Sequence, residues 1–138
     1  DRVCAVSNKT HYNEMNVLSM HALIGAYQQQ GYEWVDELNQ VLADNIEYFC
    51  DYVDEHFEGV SYSRPQGTYM VFLDCTEWCR EHGRDIQWLL DEGARVGVGY
   101  QDGRPFHGPC HIRVNLALPL SRVWEACNRL DRYVFNAR

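Results

Sequence analysis

Lysine is almost absent from this chain: Lys9 is the single one in 138 residues. Chemistry that needs a lysine amine, a Schiff base above all, would have to use it. It lies near the N-terminal end, in Ser7-Asn8-Lys9-Thr10-His11, where a solvated surface position is the plainer reading. Basic residues are scarce overall, 12 Lys and Arg against 20 Asp and Glu, a formal net charge of −8. That balance disfavours nucleic acid and anionic membranes as partners, because both demand basic patches. No apolar run approaches the roughly 20 residues needed to cross a bilayer. The start, Asp1-Arg-Val-Cys-Ala-Val6, lacks the long apolar stretch of a signal peptide. An initiating Met is missing as well, so a piece of a longer protein is expected.

Other absences narrow the chemistry. The six histidines show no His-Glu-x-x-His spacing. Cys75 and Cys79 sit four apart, but no second pair stands at zinc spacing, and no metal site is assigned. There is no Asp-x-Asp-x-Asp-Gly calcium loop, no Gly-x-Ser-x-Gly elbow and no credible Cys–His arrangement. The six scattered cysteines (Cys4, Cys50, Cys75, Cys79, Cys110, Cys127) could form three disulfides. With no secretory signal, free thiols in a reducing cytoplasm are the expected state.

What is present fits one folded domain: 46% hydrophobic and 13% aromatic residues in a chain long enough for a single core. Val17, Met20, Ile24 and Tyr27 recur at helical spacing, predicting a helix over 13–30 with Gly31 as its stop. A second helix is expected from about Tyr32 to Phe57. Its buried stripe would be Trp34, Leu38, Val41, Leu42, Asn45, Phe49, Val53 and Phe57. The opposite face carries Glu33, Asp36, Glu37, Asp44, Glu47, Asp51, Asp54, Glu55 and Glu58 with no Lys or Arg. It reads as a solvated face.

Residues 59–63 predict a short strand and 64–67 a turn. Residues 68–74 predict a strong strand, apolar on both faces and so covered on two sides. A helical turn follows over 76–81, ended near Gly83. Asp85 should cap a helix over 86–92, with Gly93 as its stop. Residues 95–100 read as a strand of small residues, 101–109 as a loop and 110–118 as a further strand. Ser121 should cap the last helix, whose buried seam is Val123, Cys127, Leu130 and Val134. The order is α-α-β-β-α-β-β-α. It predicts an α+β fold in which helices pack on a three- to four-stranded mixed or antiparallel sheet.

One cation stands inside the strand at 110–118. Ile112, Val114, Leu116 and Leu118 should face one way, and His111, Arg113, Asn115 and Ala117 the other. Arg113 is either a surface arginine paired with one of the many carboxylates or a planar fork held ready for a ligand carboxylate. Asn115 shares its face and could orient it. The glycines at 97, 99, 103 and 108 leave a strand rather than enter a helix, so they are no dinucleotide or phosphate fingerprint. They either permit tight packing or let backbone approach a ligand closely.

These residues resemble a known family. Met15 to Tyr27, then Gly31-Tyr-Glu-Trp34-Val-Asp-Glu-Leu38 and Asn45, are similar to the helical segment after the catalytic lysine in fold-type I pyridoxal-phosphate enzymes of aminotransferase class I/II. Pro65-Gln-Gly-Thr-Tyr-Met-Val-Phe-Leu-Asp74 resembles their P-x-G-T-Y strand. Residues 96–106 resemble their substrate loop, and Arg113-Val-Asn-Leu-Ala-Leu-Pro119 their R-x-N-x-A-x-P strand. The Gly31-to-Leu38 element points to the cystathionine β-lyase branch, the MalY/PatB-like C–S lyases.

The resemblance implies a small C-terminal domain that binds the substrate carboxylate through Arg113, supported by Asn115, with Gly99 and Tyr100 at the substrate. It implies pyridoxal phosphate in the parent enzyme, an amino-acid substrate, a homodimer and a cytoplasmic location. No catalytic or cofactor-binding residue of this chain is implied. Lys9 lies too close to the first helix to match the Schiff-base lysine, which is expected upstream in a Ser-x-x-Lys context. Residues 1–31 would link to a large domain that the sequence does not contain. An aminotransferase domain and a stand-alone carboxylate-binding module are the alternatives.

Overall fold

The computed structural model describes residues 2–10 and 15–137. The chain falls into two compact units, residues 1–39 and 40–138. Among the described residues no helix is long and apolar enough to cross a membrane.

The first unit holds α1 (Arg2–Thr10), α2 (Val17–Ala26) and the start of α3 (Gln29–His56). Asn16 caps α2 by accepting a hydrogen bond from the Ser19 N–H at 2.8 Å. The single helix predicted over 13–30 is two helices, and its expected start at Asn13 lies outside the described residues. Gly31 is not its stop but sits in the first turn of α3. A Cβ there would lie 1.9 Å from the Ala26 carbonyl oxygen, so only glycine lets the end of α2 come this close. No residue of α2 is buried: Val17, Leu18, Met20, Leu23 and Ile24 are all exposed.

The second unit is a four-stranded antiparallel sheet with helices on one face. The strands are β1 (Ser61–Tyr62), β2 (Met70–Asp74), β3 (Gln101–Asp102) and β4 (His111–Asn115), in the order β1-β2-β4-β3. One face of the sheet supplies Val71, Leu73, Ile112 and Val114 to the core. They pack with Phe49, Cys50 and Val53 of α3 and with Trp78 and Cys79 of α4 (Thr76–His82). Ile86 and Leu89 of α5 (Ile86–Arg95) and the predicted seam Val123, Cys127 and Leu130 of α6 (Leu120–Leu130) complete it. Val134 is also buried, in the π turn that extends α6. The stripe expected along α3 is buried only from Asn45 onward; Trp34 and Val41 are exposed.

Several local expectations give way to longer-range contacts. β2 is central, as predicted, but only one of its faces is fully covered, and Met70, Phe72 and Asp74 are half-buried. Gly93 does not stop α5. It is buried inside it, where a Cβ would come within 2.5 Å of the Tyr100 ring. The strand expected over 95–100 is the end of this helix and a turn. The N–H groups of Val96, Gly97 and Val98 bond back to the carbonyls of Glu92, Ala94 and Gly93. They are then unavailable to a ladder. Ser121 does not cap α6, since Pro119 occupies the cap position and accepts from the Arg122 N–H at 2.8 Å. β4 ends at Asn115 because the Asn115 side-chain oxygen takes the Ala117 N–H at 2.8 Å and turns the chain. Leu118 is consequently exposed rather than on the core face.

The acidic face of α3 is solvated, with local partners: Asp51 pairs with Arg64 at 2.9 Å and Asp54 accepts from the Tyr62 hydroxyl at 2.7 Å. All six cysteines are free thiols. Burial pushes the Cys127 thiol up to about 12, which keeps it protonated and unreactive. Among the described residues no group of three His, Cys, Asp or Glu is placed to hold a metal ion.

Candidate carboxylate site

The face of the sheet turned away from the helices carries the candidate site. Antiparallel register sets Arg113 of β4 opposite Phe72 on β2 and opposite Gln101 on β3. Directly paired residues share a face, so all three meet on this side. The Arg113 Nε–H donates to Gln101 Oε1 at 2.6 Å. Its guanidinium carbon stands 4.0 Å from the centre of the Phe106 ring, a cation–π contact. Phe106 belongs to a one-turn 3₁₀ helix, Arg104–Phe106, in the loop between β3 and β4.

Arg113 holds no carboxylate among the described residues. Six other arginines do: Arg64, Arg80, Arg95, Arg104, Arg122 and Arg129 each lie within ion-pair distance of an Asp or Glu, whereas Arg84 and Arg132 stand over aromatic rings. Arg113 is half-buried, yet it is held by a neutral amide and an aromatic ring, with both Nη groups turned to no acceptor among the described residues. A positioned guanidinium whose charge is not internally cancelled is a competent anion site.

Further along the same face, the His111 ring packs tilted against Phe72 with ring centres 4.7 Å apart and lies 3.7 Å from Asp74. Burial works against the Asp74 charge, but hydrogen bonds from the Thr76 backbone and hydroxyl, together with His111, hold it below the usual carboxylate range.

The remaining predicted residues are placed elsewhere. Asn115 does not bond to Arg113, because its side-chain oxygen is committed to Ala117. Gln101 is the residue that orients the arginine. Sequence reasoning did not find it, since its role comes from a pairing register that no local pattern encodes. Gly99 and Asn115 do come together, on the wall of a cleft of about 330 Å³ formed by Gly97, Leu116, Arg122 and Arg129 among others. That cleft adjoins Val114, on the other face of β4 from Arg113. Its two arginines both engage Glu125, and Arg129 also donates to the Val96 carbonyl at 2.9 Å. The Arg122 hydrogen bond and the Arg129 charge hold Glu125 below the usual carboxylate range. The two cleft arginines thus share one carboxylate, which offsets part of their charge, whereas Arg113 meets no carboxylate among the described residues.

Tyr100 donates its hydroxyl to the Leu89 carbonyl and packs its ring on Gly93. Tyr100→Phe is expected to lower stability by about 1 kcal/mol, the typical worth of one such bond. Carboxylate binding should be unchanged. Denaturant unfolding beside ligand titration checks both, and a binding loss with unaltered stability would return Tyr100 to the site.

No protein-family model matches the chain. Among curated proteins, one named as a cystathionine beta-lyase from Mycobacterium leprae is 35% identical, over 78% of this chain and 30% of its own length. Protein MalY of Escherichia coli is 31% identical, over 86% of this chain and 30% of its own length. Among solved structures, a PLP-bound C–S lyase from Staphylococcus hominis matches 95% of this chain and 34% of its own, with a TM-score of 0.80 and 23% identity. A PLP-bound protein from Clostridium difficile, described as an aminotransferase, matches 92% and 32% with a TM-score of 0.80 and 24% identity. These structural likenesses show the fold. The chain spans about 30% of the length of the curated relatives it matches. In sequence the chain thus matches part of cystathionine beta-lyase and MalY, and in fold it matches part of pyridoxal-phosphate C–S lyases and aminotransferases.

Proposed function

We propose that this chain is the C-terminal small domain of a pyridoxal-phosphate-dependent C–S β-lyase and that Arg113 binds the α-carboxylate of its amino-acid substrate. One observation carries the reading. In a chain with 20 acidic residues, the half-buried Arg113 is held by Gln101 and Phe106 and has no carboxylate partner among the described residues. Holding the carboxylate fixes how the substrate Cα is presented to the reacting group, which is a positioning role.

The residues described here do not fit pyridoxal phosphate itself. The one lysine, Lys9, is exposed on α1, and neither the cleft behind β4 nor the face around Arg113 contains a lysine to hold the cofactor aldehyde. The cofactor and the catalytic base belong to the remainder of the parent enzyme. The exposed apolar side chains of α2 suit the surface that meets that missing large domain. A cytoplasmic, homodimeric parent goes with the same reading.

The fold alone does not separate lyase from aminotransferase, because both kinds of structure match it equally well. The lyase reading is favoured by the names of the relatives at 35% and 31% identity. A full-length enzyme carrying this sequence, supplied with an S-substituted cysteine and no keto acid acceptor, should release thiol, ammonia and pyruvate in equal amounts. Turnover that requires an added keto acid and releases no thiol would make it an aminotransferase.

A further inference from the structure

The contacts of Arg113 decide more than its availability. A guanidinium can meet a carboxylate through its Nε and Nη2 side or through its Nη1 and Nη2 end. Here the Nε–H is already given to Gln101 Oε1 at 2.6 Å. One flat face is covered by Phe106, 4.0 Å away. The turn that carries Phe106 is itself fixed. The Gly103 N–H donates to the His111 carbonyl at 2.8 Å and the Phe106 N–H to the Gly103 carbonyl at 2.8 Å. Arg104 is drawn aside by Asp102 and by Gln87, the latter at 3.0 Å. What Arg113 presents is therefore its outer edge.

We infer that Gln101 and Phe106 are positioning residues that confine a bound carboxylate to the Nη1–Nη2 edge of Arg113. The inference rests on the carboxylate reading above and adds to it which atoms bind and what orients them. The choice of an amide is the telling part. Glutamine and glutamate are nearly the same shape, and both accept the Nε–H. A glutamate would add a charge that cancels the guanidinium. In so acidic a chain the position opposite Arg113 is nevertheless neutral.

The test is NMR of the full-length enzyme labelled with ¹⁵N-arginine, read at the arginine side-chain N–H groups, with propionate and L-alanine as probes. Without ligand, the Arg113 Nε–H should exchange with water more slowly than that of the exposed Arg80. Exchange as fast as Arg80 overturns the orienting bond. On titration, the Arg113 Nη signals should move and the Nε signal hardly at all. Equal movement of Nε and Nη overturns the edge restriction.

Gln101→Glu should weaken propionate binding about tenfold by occupying the arginine with an internal ion pair. Wild-type affinity in that variant counts against the inference. Gln101→Leu should free Nε, so that Nε then responds to the probe along with Nη; a silent Nε in this variant also counts against it. An unaltered melting temperature shows that either variant is folded. If Arg113 responds to neither probe in the wild-type enzyme, the clamp reading fails and the edge restriction with it. The Gln101 bond is then judged by the ligand-free exchange alone.

Discussion

Arg113→Ala in the full-length enzyme should cut kcat/KM for amino-acid substrates by roughly 30- to 1,000-fold while the cofactor stays bound. The estimate starts from two charge-assisted hydrogen bonds, each worth about 1.5–3 kcal/mol when a charged group takes part. Partial solvent access lowers the sum to about 2–4 kcal/mol, and each ~1.4 kcal/mol is tenfold. Much of the loss should appear in KM, because the carboxylate is bound in the ground state as well as in the transition state. Arg113→Lys keeps the charge and loses the planar fork, so it should fall between wild type and alanine. Stability should barely change, since Arg113 is half-exposed and makes no ion pair among the described residues. Steady-state kinetics with cofactor absorbance and a melting curve separate these effects. An unchanged KM in Arg113→Ala would remove Arg113 from the site.

The parts of this picture that were legible in the sequence are those set by local periodicity. Alternation along β4 put Ile112 and Val114 in the core and Arg113 on the other face, and the structure has them there. Helical spacing found Val123, Cys127 and Leu130. Asp85 was readable as a cap because a cap is a contact across three residues. Failures came where a residue answers to something distant in the chain. Gly31 and Gly93 look like helix stops, but each is required by a close approach: one to Ala26, one to the Tyr100 ring. Periodicity ran the stripe of α3 back to Trp34, whereas neighbours to bury against begin only at Asn45.

The candidate site divides the same way. Arg113 was visible as a lone cation in an apolar alternation. Gln101 was not, because what makes it matter is a cross-strand register set by the eight residues between its strand and Arg113's. Asn115 was given the orienting role on spacing alone. A local hydrogen bond to Ala117 takes its oxygen first, as short polar side chains commonly do.

The largest stability effect should come from Asn45, the buried polar residue of the core. It is 1% exposed, and its Nδ2 donates to the Leu116 and Leu118 carbonyls, both at 2.8 Å. These bonds fix the turn that follows the Arg113 strand. Its Oδ1 is buried without a hydrogen-bond partner. Asn45→Asp changes no volume, so cavity effects drop out. It replaces the donor with a carboxylate oxygen facing two carbonyls, in a place that water does not reach. At neutral pH the loss should be about 3 kcal/mol or more, combining two missing hydrogen bonds with a buried, unpaired charge. Burial raises the pKa of the new carboxyl in the folded state above its unfolded value of about 3.9. The native state then holds the proton more tightly than the unfolded chain. Relative to wild type, the variant therefore recovers stability as pH falls through the folded-state pKa toward the unfolded one, and loses it again as pH rises. Protonation also restores one O–H donor to the two carbonyls. Asn45→Leu, with no charge to bury, should cost about 2 kcal/mol for the two unsatisfied carbonyls and show no such pH dependence. Urea unfolding of the three proteins at pH 5 and pH 7 decides it. A difference under about 0.5 kcal/mol between Asn45→Asp and wild type at pH 7 would mean that the Asn45 bonds do not hold the turn behind Arg113.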